Sequence, residues 1–177
     1  MSVFKRLVAL VAALLASSAA SANLSANPII VEFMEGAGDR NDITVSNDGP
    51  RVQYLEITAL RIEKPGASPE LLIGDPDPAK VGLLVAPRRL SLKPGEEKKI
   101  RLIKLSTATT HDLAWRVEIK PVAGEVESRT TGAVVQIGYK ALVFARPANP
   151  SPRLDARRTG TELEITNTGN TNALLAD

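Results

Sequence analysis

The stretch from Thr131 to Pro147 constrains this chain more than any other. Its only charges are Lys140 and Arg146, near its end, and it is rich in the β-branched and aromatic residues that favour extended backbone. Side chains along a strand point alternately to opposite faces, so Ala133, Val135, Ile137, Tyr139, Ala141 and Val143 share one face. Val134, Gln136, Gly138, Lys140, Leu142 and Phe144 share the other. A typical strand has about 5–6 residues. This run can span a domain with apolar strand left over, and such a strand invites pairing with another chain.

The first residues read as an export signal. Lys5 and Arg6 form a basic start, Leu7 to Leu15 is apolar, and Ala20-Ser21-Ala22 supplies small residues at the cleavage positions. The apolar run is shorter than the ~20 residues a membrane-spanning helix needs. Cleavage is expected after Ala22, and Lys5 and Arg6 leave with the signal. The 22 basic residues less these two then equal the 20 acidic ones. A neutral mature chain gives no electrostatic reason to bind nucleic acid.

The chain has no cysteine, so an exported domain of this kind must be held by its hydrophobic core. Thiolate catalysis and zinc–thiolate sites are excluded with it. One histidine, His111, makes no metal cluster. Ser91, Ser106 and Ser128 lie in no nucleophile motif, and Gly36-Ala37-Gly38 is too short for a phosphate loop. Trp115 falls at core periodicity. No enzyme activity, cofactor, metal or small-molecule substrate is expected.

Nearly every other segment reads as strand. Pro28–Phe33, Asp42–Ser46, Val52–Ile62, Gly82–Ala86, Arg89–Leu92, Lys98–Leu105 and Leu113–Val122 precede the long run, with Asn47-Asp48-Gly49-Pro50 and Lys93-Pro94-Gly95-Glu96 as turns. Pro87 marks an edge or a bend, because proline cannot donate to a ladder. About seven strands between residues 23 and 147, with no helical apolar period, predict an all-β immunoglobulin-like sandwich; a small closed barrel is the alternative. Residues 148–152 form a proline-stiffened linker. Leu154, Leu163 and Ile165 then open a new strand pattern, so 153–177 is expected to be the start of a second, incomplete β domain.

Four segments occur in an informative order: Asp42–Asn47, Val85–Gly95 followed by Ile100-Arg101, Trp115–Pro121, and Lys140–Pro147. Together they resemble the periplasmic pilus chaperones of the chaperone–usher pathway, and the Tyr139–Phe144 ending resembles their divergent archaic branch. The resemblance implies two immunoglobulin-like domains and action by donor-strand complementation, in which an extended chaperone strand completes a pilus subunit that lacks one of its own. It implies a pilus or fimbrial subunit and an outer-membrane usher as partners, and the periplasm as location.

By this resemblance Ala133, Val135, Ile137 and Tyr139 form the donor strand. Typical members carry an Arg and a Lys that bind the subunit's terminal carboxylate, and those positions fall here on Ile30 and Leu142. Arg89 and Lys140 are the expected substitutes. Arg146 aligns with an Arg that fixes the two domains, with Asp112 as its ion-pair partner. A stand-alone secreted β-sandwich for adhesion or surface assembly is the second reading.

Overall fold

A computed structural model describes residues 24–106, 110–122 and 137–173. The strands are β1 (Ser25–Asn27), β2 (Ile30–Phe33), β3 (Arg40–Ser46), β4 (Gln53–Ile62), β5 (Leu72–Ile73), β6 (Leu83–Ala86), β7 (Arg89–Leu92), β8 (Glu97–Lys104), β9 (Leu113–Val122), β10 (Tyr139–Ala145), β11 (Leu154–Thr159) and β12 (Glu162–Asn167). One helical turn, α1 (Pro78–Val81), lies between β5 and β6.

Two sheets face each other. One has the order β1-β3-β8-β6; the other runs β2-β10-β9-β4, with β5 and β7 both pairing with β4. This is an open sandwich, and no sheet among the described residues closes into a barrel. The hairpin β11–β12 follows as a separate two-stranded sheet.

Two strands form that the sequence pattern does not predict, β1 and β5, and at two prolines the chain crosses from one sheet to the other. β1 pairs with β3, and β2 pairs with β10 in the opposite sheet, with the cis Asn27-Pro28 bond between them. β6 pairs with β8 and β7 with β4, across the cis Ala86-Pro87 bond. Pro87 therefore lies at a crossing, where no ladder asks for its missing N–H.

The segment before β6 holds α1. Asp77 accepts from the Ala79 amide at 2.9 Å, Pro78 opens the turn, and Gly82 closes it at φ 85°, donating to the Pro78 carbonyl at 2.8 Å. A four-residue turn is too short to show a 3.6-residue period.

Alternation decides what is buried. Ile43, Val45, Ile100 and Leu102 from one sheet meet Leu55, Ile57, Trp115, Val117, Ile119, Ala141 and Val143 from the other. Trp115 is fully enclosed, and its indole N–H donates 2.7 Å to the Val81 carbonyl, which ties α1 over the core. Burying side chains of this size contributes roughly 1.5–3 kcal/mol each.

The Asn47 turn is held by side-chain hydrogen bonds. No described non-glycine residue has positive φ, so left-handed backbone is not what Asn47 supplies. Its fully buried amide instead donates to the Arg51 and Leu92 carbonyls at 2.7 and 3.0 Å and accepts from the Gly49 amide at 3.0 Å.

Candidate functional site: the open edge of β10 and the cleft beside it

β10 is paired on one side along its whole length. Its antiparallel register with β9 runs from Ala145 opposite Leu113 to Tyr139 opposite Ile119. On its other side the parallel partner β2 reaches only Leu142–Ala145. The Leu142 amide donates 2.8 Å to the Ile29 carbonyl, which shows that the even-numbered backbone groups of β10 point away from β9. Before Ile29 the chain turns at Pro28 into the other sheet. Lys140 thus turns its N–H and C=O to a side on which no described strand lies. An uncovered strand edge of this kind leaves backbone groups open to pairing.

Of the four expected donor residues, Ala133 and Val135 lie outside the described residues. Ile137 is exposed, at 48 % of its full accessibility. Tyr139 is half-buried against its own core, and its hydroxyl donates 2.6 Å to the Leu24 carbonyl. Alternation accounts for this. Tyr139 shares its face with Ala141 and Val143, which are fully buried inside the sandwich.

The opposite face of the six-stranded sheet borders the second unit. Leu142 lies between Ile30 on β2 and Arg116 on β9, so the two positions where the family pattern places cations are direct neighbours and both apolar. Phe144 packs with Ile62 and Ala114, and Leu72 and Leu142 join them. Arg116 donates to Glu70 through two bonds, 2.7 and 3.1 Å, which hold the Glu70 carboxyl below the usual range.

Lys140 lies 3.3 Å from Glu118, which Lys120 also bonds. The Lys120 hydrogen bond, followed by that of Lys140, lowers the pKa of Glu118, whose side chain is 9 % exposed. Two lysines on one carboxylate leave a net positive charge on this face.

Arg89 takes no part in this group. It stands on β7, on the far side of β4 from β9 and β10, pairs with Glu56 at 3.1 Å, and is 82 % exposed. Sequence alternation gave no means of ordering the strands across the sheet, and that order separates it from Lys140.

Arg146 closes the cleft. It donates to Asp112 and Thr171 at 2.9 Å each, and bonds Asn172 and Glu32 as well. Its guanidinium lies 5.0 Å from the centre of the Phe144 ring. Asp112 accepts further from the Thr171 hydroxyl and, at 2.7 Å, from the Asn172 amide. These contacts join the sandwich to the turn after β12 around a cleft of about 470 Å³, lined by Ile62, Arg116, Leu142, Phe144 and Leu154 among others. Among the described residues no cluster of His, Asp or Glu side chains could hold a metal ion.

The sequence reading missed Arg116, Glu118 and Thr171. The signal for the first two was present, since charged and apolar residues alternate from Arg116 to Lys120, but their partners become neighbours only through strand register. Thr171 carried no signal.

No protein-family model and no curated protein sequence matches the chain. Solved structures do. The class 5 fimbriae chaperone CfaA is 28 % identical, with a TM-score of 0.68 over 84 % of this chain and 68 % of that one. A chain from a chaperone–tip adhesin complex of CFA/I fimbriae biogenesis is 26 % identical, with a TM-score of 0.67 over 85 % of this chain and 68 % of its own. A chain from the CsuC–CsuE complex of archaic pili of Acinetobacter baumannii matches at 16 % identity, a TM-score of 0.60, and 83 % and 77 % coverage. In architecture this chain stands with the fimbrial chaperones of the chaperone–usher pathway.

Proposed function

We propose that this protein is a periplasmic, non-enzymatic chaperone that holds fimbrial subunits by donor-strand complementation and passes them to an outer-membrane usher. The observation that carries the reading is the early part of β10, where one edge is bare while β9 supports the other. A subunit missing a strand exposes backbone groups and apolar core together. A supported, bare-edged strand supplies both kinds of partner, since its backbone bonds give affinity and its alternating side chains fill the groove.

The donor face of this proposal is Ala133, Val135 and Ile137, with Tyr139 kept by its own domain. A terminal carboxylate reaching the cleft would meet Lys140, the cation nearest Leu142 on β10, with Arg116 already held by Glu70. Arg146 and Asp112 fix the sandwich to the unit that begins with β11 and β12. The exposed Leu163 and Ile165 on that hairpin read as part of a second β domain. Cleavage after Ala22 would deliver the chain to the periplasm.

The test is co-expression with a fimbrial subunit encoded beside this chain's gene. Val135→Asp with Ile137→Asp is expected to abolish the soluble subunit while leaving this protein's own yield intact. Unchanged subunit yield would overturn donor-strand action.

A further inference from the structure

We infer that Pro121 stops the β9–β10 ladder on one side only, and so releases Ile137 from its own sheet for a partner; the inference rests on the donor-strand reading above.

The backbone directions can be followed across the sheet. The Ile57 amide bonds the Arg88 carbonyl at 2.8 Å, so odd-numbered groups of β4 face β7 and even-numbered ones face β9. Glu56 and Lys120 are therefore a hydrogen-bonded pair, and the odd-numbered groups of β9, Val117, Ile119 and Pro121, turn toward β10. The last pair in that direction is Tyr139 with Ile119. The next would set Ile137 opposite Pro121, whose ring nitrogen has no proton to give.

Toward β4 nothing is lost, because position 121 does not donate that way. Leu55–Pro121 and Tyr54–Val122 stay in register. A proline inside a sheet ordinarily breaks a ladder and is confined to edges. Here it breaks one ladder and spares the other, which makes β9 an edge strand locally on the side of β10.

Gly138 contributes to the same stop. A Cβ on it would lie 3.0 Å from the Ile119 carbonyl oxygen and 3.4 Å from Pro121 Cδ, so β10 crosses β9 there at a distance only glycine fits comfortably. Glycine weakens the strand it sits in. Ile137, just before it, is exposed. The partner this arrangement fits is a β-strand with an adjacent apolar groove, because what is freed is backbone plus one apolar side chain.

The experiment uses the full chain with Pro121→Val, and Pro121→Ala as a second variant that adds the N–H with less side chain. Amide exchange by NMR is measured on the free protein. Capture of the fimbrial subunit encoded beside this gene is measured in parallel, with Ile137→Asp as a comparison. The variants are expected to show a protected amide at 121, about tenfold slower than open chain, a thermal midpoint no lower than the parent, and markedly less captured subunit. An unprotected amide at 121 in both variants, or protection with unchanged capture, overturns the inference. If Ile137→Asp lowers capture and neither Pro121 variant does, the stop is wrong and the donor reading stands. If none of the three lowers it, the donor reading falls as well.

Discussion

Replacing Arg146 by Met keeps most of the aliphatic stem and removes every polar contact that the guanidinium makes at the junction. Arg146 and Asp112 are both 12 % exposed, so their 2.9 Å pair is largely shielded from water. Stranding one partner of a buried pair costs about 3–5 kcal/mol. Asp112 is not fully stranded, since the Thr171 hydroxyl at 2.9 Å and the Asn172 amide at 2.7 Å remain as donors. Glu32 is 41 % exposed, and its loss contributes about 0–1 kcal/mol. The expected cost is therefore about 2 kcal/mol, below the full figure by roughly one retained charged hydrogen bond. Arg146→Lys keeps the charge without the planar fork and should lose about half of that. Urea denaturation reads the loss, and amide exchange at Asp112, which donates 3.1 Å to the Asn170 carbonyl, should speed up with it. Removing Asp112 together with Arg146 should cost less than the two single changes added, because the second removal strands nothing. A change below about 0.5 kcal/mol for Arg146→Met would refute the claim that this network fixes the junction.

Three further outcomes follow from local geometry. Asn47→Ala removes three hydrogen bonds from a fully buried turn, so thermal denaturation should show a loss of about 2–3 kcal/mol. Trp115→Phe should lose about 2 kcal/mol in urea through the stranded Val81 carbonyl and the vacated volume, with the fold retained. Glu118 has its pKa lowered by Lys120 and then Lys140, so its stabilising contribution is present at neutral pH and is lost as pH falls through the folded-state value. Between about pH 5 and about pH 3 the parent should therefore lose more stability than Glu118→Gln, and equal losses would contradict the pairing.

Much of the sandwich is legible in the sequence because strand alternation is a local signal. Ile43 and Val45, Ile100 and Leu102, and Trp115, Val117 and Ile119 declare their inner faces by spacing alone, and all of them are fully buried. What is not local was not legible. The crossings at Pro28 and Pro87 depend on which sheet receives the next strand. The separation of Arg89 from Lys140 depends on the order β7-β4-β9-β10. Tyr139 shows the limit of period-2 reasoning most clearly: alternation groups it with Ile137, but the sandwich reaches outward to Tyr139 and not to Ile137. The boundary between own core and offered strand is set by where β9 stops pairing, and Pro121 was read only as one more residue of a strand.

Lys140 offers the most direct measurement of the central claim. Its amide points to the side of β10 that β2 does not cover, while Ala141 and Val143 point to β9. In the free protein the Lys140 amide should exchange quickly beside protected Ala141 and Val143, and capture of a fimbrial subunit should slow it strongly with little change at the other two. A Lys140 amide already protected in the free protein, or one that the subunit leaves unchanged, would contradict the account.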